Sequence, residues 1–514
     1  MGRKDGSITL FLALVLTLVF SLCFSLLEAA RVQALHELAP RKLLLNLESL
    51  FGQYNPDLWA EYGLLFLDAG NEFGELDVAL LEGRAMEETE LAQRGAGFYQ
   101  LAMKDLQVTE YALATDAGGA AFEKQACAAI QAQLAAGAAE LIKGKLDGGK
   151  KIAKESEDLQ KQWESAKNAM SEAEEIEQGK ERVGPDGGEG AGDSGGTGYR
   201  EGAEGCKKDE VSAENLGNVP ENPVDSVDIL KSSLMLNLVV EDPSGISGKA
   251  IPLSDTLSNR RKAQGNLKLS DEAGVDKLWF LQYLNRYFSC GSGPAQKGSE
   301  AHALEYELEY CVAGKSSDYE NLEKTVKELL LIREAGNFTT IMQDGKKQAL
   351  ALEIATAAVG FTGAAPLIYA VKIGILLAWS YIESILDVRC LLSGGRVALV
   401  KAVSDWKSDV SVGEEVLKKK AEKTESREDG LDYREYLQIL LLLVREETLV
   451  CRAMDIVERN MALKKELFKM DCQIHGVQAV GLYTASPLFL GFVTTQITDD
   501  GLYHFRGQGS LLYK

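Results

Sequence analysis

The residues able to do chemistry are few and far apart. The four histidines, His36, His302, His475 and His504, share no ligand spacing such as HExxH, in which two imidazoles one helical turn apart hold zinc. No GxSxG turn presents a nucleophilic serine. Gly314-Lys315-Ser316 echoes the end of a phosphate-cradling loop, but the earlier glycine such a loop needs is replaced by Glu309, so the segment reads as a helix start. Of the eight cysteines, Cys23 lies in an apolar run and the other seven scatter from Cys127 to Cys472 without a CxxC pair. Cys290 and Cys311 are the candidate disulfide, with buried thiols as the competing reading. Asp499-Asp500-Gly501 reads as a turn and not as a calcium loop. No catalytic residue, metal ligand set or cofactor follows from these spacings, and an enzyme is not expected.

One junction carries chemistry of another kind. Gly6-Ser7 follows a short basic leader with Arg3 and Lys4, and it opens the uncharged run GSITLFLALVLTLVFSLCFSLL, residues 6–27. Prepilin-type leaders are cut after such a glycine on the cytoplasmic side, leaving the apolar helix on the mature protein. Gly6 and Ser7 are therefore the candidate processing residues. Type IV pilins carry Glu at the fifth mature position, where this chain has Phe11; an uncut glycine beside a membrane helix is the alternative. At about 1.5 Å per residue the run spans roughly 30 Å, the thickness of a hydrocarbon core. A cleaved signal peptide would have a shorter apolar region and a small-x-small site, whereas this run continues helically through EAARVQ. The basic leader keeps the N-terminus cytoplasmic and puts residues 28–514 outside the cell.

The elements that would carry these residues follow from composition and pattern. The chain has 514 residues, 55 Lys+Arg against 77 Asp+Glu and a net charge of −22, which argues against a nucleic-acid partner. Its 46% hydrophobic share excludes disorder throughout. We divide it into a cytoplasmic leader (1–6), a transmembrane helix (7–27), an extracellular helical region (28–177), a Gly-rich acidic linker (178–221) and an α+β extracellular domain (222–514). Leu35, Leu38, Leu43, Leu44 and Leu47 predict an amphipathic continuation of the first helix, kinked or restarted at Pro40. Asn55-Pro56 marks a helix start, and residues 73–137 and 150–177 read as helix. Ten glycines in residues 184–205 leave too little apolar surface to order that stretch.

Beyond the linker, 226–245 predicts a short helix and then a strand, and Tyr283–Gly314 extended chain. Residues 316–338 form a helix with Ser317 and Glu320 spaced as a capping box, and 432–468 form another around LQILLLLV. The apolar stretch 354–382 reads as buried helices, with a membrane hairpin as the alternative. Residues 474–514 are β-rich. The fold class is α+β, predominantly helical.

The N-terminal run together with YNPDLWAEYGLLFLDAG resembles the TadE/TadG-like pseudopilins of tight-adherence pilus systems. ENPVDSVDILK (221–231), LEYCVAGKSSDYENL (308–322), AWSYIESILDVRCLLSGG (378–395) and DYREYLQILLLL (432–443) resemble a poorly characterised family of single-span surface proteins of Gram-positive anaerobes. The resemblance implies surface assembly. Its partners would be the lipid bilayer, pilus or secretion assembly proteins, or copies of the chain itself. Two alternatives remain: a membrane-anchored extracellular hydrolase, and a multi-pass protein using 354–382.

Overall fold

A 47-residue helix, α1 (Asp5–Phe51), carries the chain from its apolar run into the folded body. The computed structural model describes residues 5–92, 98–133, 138–181, 235–240, 243–268, 277–291, 302–406, 430–489 and 500–513, with isolated positions 224, 227, 231 and 491. The Gly-rich stretch 184–205 lies outside the described residues. Beyond Leu27, α1 buries Glu28, Arg31, Leu35, Ala39, Leu43, Leu47 and Leu50, a three- and four-residue spacing that keeps them on one face. Of the kink or restart expected at Pro40, the restart is absent, and the helix runs through that residue. Helix α2 (Pro56–Tyr62) begins as the sequence predicts. Asn55 Oδ1 accepts from the N–H groups of Asp57 and Leu58, and Gly63, at φ 66°, closes the last turn.

A two-residue strand β1 (Leu67–Asp68) and helix α3 (Ala79–Ala92) follow. The helical expectation for 28–177 then fails, because Ala102–Leu113 is a strand, β2. Of three register shifts, between Met103 and Asp105, Val108 and Glu110, and Ala112 and Leu113, the first two add a residue on β2 itself and break the two-residue alternation by which a strand is recognised. Helices α4 (Ala120–Gln131) and α5 (Ala138–Glu181) complete this part.

Two further expectations are corrected beyond 222. The strand expected after 226 is instead a short helix, α6 (Met235–Val239), with Leu236 and Val239 buried three residues apart. Tyr283–Gly314 is largely helical where described, ending α7 (Lys277–Tyr287) and containing α8 (Glu307–Ala313). All seven residues of α8 are buried. Its alternating ELEYC therefore records no exposed face, and the strand-like pattern misleads.

Helix α9 (Asp318–Ile341) has half of the expected box: Ser317 Oγ accepts from Glu320 N, while the Glu320 carboxylate accepts from Ser316 Oγ at 2.7 Å. The stretch 354–382 is divided between α10 (Gly345–Val359) and α11 (Ala365–Leu392). The most apolar window of α11 is 61% buried within the protein. The single helix expected over 432–468 is two, α12 (Tyr433–Leu443) and α13 (Glu446–Lys464), separated by extended Val444 and Arg445. Asp432 and Glu435 form a complete capping box at the start of α12. The chain ends in β3 (Gln473–Ala485) and β4 (Tyr503–Leu512), as the β-rich tail predicts, so the fold is a predominantly helical α+β.

The sheet is antiparallel and centred on β3. Strand β2 lies along one edge, from Ala102 opposite Thr484 to Leu113 opposite Ile474. The other edge takes β1 and then β4, from Gly476 opposite Leu512 to Ala485 opposite Tyr503. The buried face of α1 packs on this sheet in one core, with Leu81 and Ala85 of α3 and Val477, Ala479, Tyr483 and Phe505. A larger core joins α2 and α4–α13. Residues from both sides of 178–221 share each of the two.

Candidate functional site at the root of the apolar helix

From Ile8 to Leu27 every residue of α1 is exposed but Ser25, which is half-buried. Among the described residues two helices, this one and α11, are long and apolar enough to cross a membrane by length and composition, and this one has the higher mean hydropathy, 2.7. Two of its hydroxyls are satisfied internally. Thr17 Oγ1 donates to Leu14 O at 2.9 Å and Ser25 Oγ to Ser21 O at 2.8 Å, which lowers the penalty of placing them in an apolar medium.

The exposed run ends at a buried ion pair. Arg31 and Glu28, each 1% exposed, sit one helical turn apart with Nη1 and Oε1 at 3.1 Å. Arg31 reaches two distant segments as well. Its Nε donates to Phe98 O and its Nη1 to Ser486 O, both at 2.9 Å. The Glu28 carboxylate accepts from the backbone N–H groups of Leu488 and Phe489, both at 3.3 Å. The Phe489 ring stacks on that of Phe24, 5.1 Å between centroids and 3° between planes. Phe98 lies beneath the Arg31 guanidinium at 6.0 Å and meets Tyr99 edge-on at 5.1 Å. One turn of α1 thus gathers the loop after β3 and the segment before β2.

The residues nominated from sequence fall elsewhere. Gly6 and Ser7 are in the first turns of α1. Of the two readings left open for Cys290 and Cys311, bridge or thiols, the structure has free thiols at both positions. Cys311 is enclosed in α8, where burial and then the Glu307 carboxylate push its thiol well above the ordinary value; a thiol kept protonated is a poor partner for disulfide exchange. Glu28 and Arg31 were not singled out, because on α1 they look like ordinary polar positions.

Among the other polar constellations of the body, two are buried and one lines an open cleft. Lys401 pairs with Glu383 and, at 2.6 Å, with Asp387, whose other oxygen takes Arg333 Nη2 at 2.8 Å. Burial alone would raise the Asp387 carboxyl, but Arg333 and Lys401 outweigh it and hold it below the ordinary value. The two cations and two anions balance, as a buried charge cluster must, and they tie α9 to α11. Glu309 accepts Tyr433 OH and Gly291 N, both at 2.8 Å and both on Oε1. Burial, partly opposed by those donors, raises its carboxyl to about 7.

The third is an open cleft of about 1080 Å³ between Thr115–Gly118 and Arg261–Lys268. There Ala117 adopts φ 50° and the Asp116 carboxylate is held by the N–H groups of Leu113 and Gly265. Its described lining holds Thr115, Asp116, Arg261, Lys262 and Lys268 but no Ser, Cys or His.

Fold and root together define a class: an α+β body built on the second half of a helix whose first half is bare and apolar. The chain belongs to a family of unknown function (DUF5702), whose model matches residues 213–485. That range holds α6–α13 and β3, together with the four segments quoted above from 221 to 443, and it leaves out α1. No curated protein and no solved structure matches the chain.

Proposed function

We propose that the chain is a single-pass, membrane-anchored cell-surface protein of structural or interaction type, a pseudopilin-like subunit in which α1 is both membrane span and spine. Ile8–Leu27 would cross the bilayer, with the N-terminus cytoplasmic and residues 28–514 outside. The observation that carries this reading is the division of labour along one unbroken helix. Some 20 apolar residues have almost no protein to pack against, and the next two dozen are fastened to the sheet. Twenty bare apolar residues in water are heavily penalised, at roughly 25 cal/mol per Å², so lipid or the apolar helices of neighbouring copies must cover them. A helix continuous with its body passes any movement of the span to the body without slack, as a subunit drawn out of a bilayer into an assembly requires.

Alkaline carbonate extraction of host membranes tests the anchor. The chain is expected to stay with the pellet, and release into the supernatant defeats the reading. Protease added to intact cells is expected to digest residues beyond 28. Mass spectrometry of the mature N-terminus separates the processed form: a start at Ser7 supports the pseudopilin branch, whereas an intact Met1, or a start within 28–35, removes it.

A further inference from the structure

We infer that Phe98, Tyr99, Leu488 and Phe489 form an apolar collar seated in the lipid interface on the body's side of the bilayer, holding the body against the membrane at a fixed tilt. The inference rests on the reading of Ile8–Leu27 as the span and adds a second, non-helical contact with lipid. Depth is the first argument. Phe24 lies three residues before the end of the apolar run, about 4.5 Å further into the bilayer at 1.5 Å per residue. Phe489 is stacked flat on Phe24 at 5.1 Å, so a bilayer that covers Leu27 also reaches the Phe489 ring. Phe98 stands against Arg31, one helical turn beyond the run, at headgroup level.

Exposure is the second argument. These four side chains are 39–48% exposed and surround one turn of helix. Clustered large apolar groups on a protein surface mark a surface that another medium covers, and aromatic rings are enriched where a membrane meets water.

The backbone is the third. Peptide groups entering a bilayer need partners supplied by the protein. The Leu488 and Phe489 N–H groups go to Glu28, and the Phe98 and Ser486 carbonyls to Arg31. A loop resting in water gains little from satisfying its backbone with a buried ion pair. A loop pressed into lipid requires it.

The test uses the full chain in phosphatidylcholine vesicles, with and without lipids brominated near the top of their acyl chains, which quench nearby tryptophan. Trp59, Trp163, Trp279, Trp379 and Trp406 all lie in the body, and the parent chain gives their baseline. Phe489→Trp is expected to add emission that loses most of its intensity in brominated vesicles. Tyr99→Trp, on the other segment, is expected to do the same and guards against a local disturbance at 489. If the chain resists carbonate but neither added tryptophan is quenched, as when a second copy covers the collar, the collar is overturned and the anchor stands. Extraction by carbonate removes the anchor and the collar together.

Discussion

Arg31 leaves water for one carboxylate and two backbone carbonyls, so its charge is tolerable only while Glu28 answers it. Removing one member of a buried pair typically costs about 3–5 kcal/mol, whereas replacing both with apolar groups is often neutral. Glu28→Ala should therefore lower the urea midpoint of the detergent-solubilised chain, and the double variant Glu28→Ala/Arg31→Met should recover only part of the loss, since the Phe98 and Ser486 carbonyls and the Leu488 and Phe489 N–H groups then lose their partners. Equal midpoints for the single variant and the parent would show that the pair holds nothing. Neither residue was legible as a site, since their partners are contributed by segments as much as 455–461 positions away. Glu309 supplies a pH test. Its folded carboxyl titrates near 7 against an ordinary 4.5, so the folded chain holds an extra proton between those values. Its contribution to stability is complete below about 4.5 and is lost as pH rises through 7. Both donors converge on Oε1 while Oε2 has no hydrogen-bond partner among the described residues, the pattern of a protonated acid whose carbonyl oxygen accepts twice. Glu309→Gln keeps that pattern without a titration. Its melting temperature should fall less than the parent's between pH 6 and pH 8, and parallel curves would refute the assignment.

At the scale of elements, α1 and β4 approach closely where the helix passes through Pro40. Proline leaves the carbonyl four residues earlier without its helical donor, and at this point the backbone of β4 comes against the helix. A Cβ on Gly507 would lie 2.8 Å from Ala39 O and 3.2 Å from Pro40 N. Those are backbone atoms, which cannot swing aside as a side chain can. Two residues along the same face, a Cβ on Gly509 would meet Leu43 Cδ2 at an ordinary 3.7 Å. Gly507→Ala should thus cost about 1–3 kcal/mol through overpacking, while Gly509→Ala should be neutral or stabilise by about 0.4–1 kcal/mol by restricting the unfolded chain. Comparing the two by thermal unfolding separates close approach from strand propensity, which is the same for both; equal effects would deny the contact. The sequence showed those elements whose signal is local: the α1 stripe, the Asn55 cap, the start of α9, and β3 with β4. It hid β2, where two of the three register shifts add a residue on its own side and spoil the alternation, and α8, where burial on every side erases any face. In both cases tertiary contacts outweigh the local pattern.

The whole molecule is held together across the Gly-rich stretch that looked like a boundary. Strand β2, from before 178–221, pairs along nearly the whole of β3, from after it. Leu159, Trp163 and Ala173 of α5 share a core with Leu376, Trp379 and Leu440. Composition made 184–205 legible as a linker but could not show that the chain returns across it, since strand partnership is a property of pairs of distant segments. With α1 as the proposed membrane span, this arrangement has a measurable consequence. With a specific protease site inserted in 184–205 and cut, the C-terminal fragment has no covalent link to α1, and its most apolar helix, α11, is turned largely into the body. The fragment should nevertheless stay with the membrane pellet through a high-salt wash, held by the β2–β3 ladder and the shared cores. Urea, which weakens both apolar burial and peptide hydrogen bonding, should release it while the N-terminal fragment remains. Loss of the fragment in salt alone would mean that the two parts are separate bodies. Retention in urea would mean that α11 itself is in the bilayer, and the single-span reading would give way to a multi-pass one.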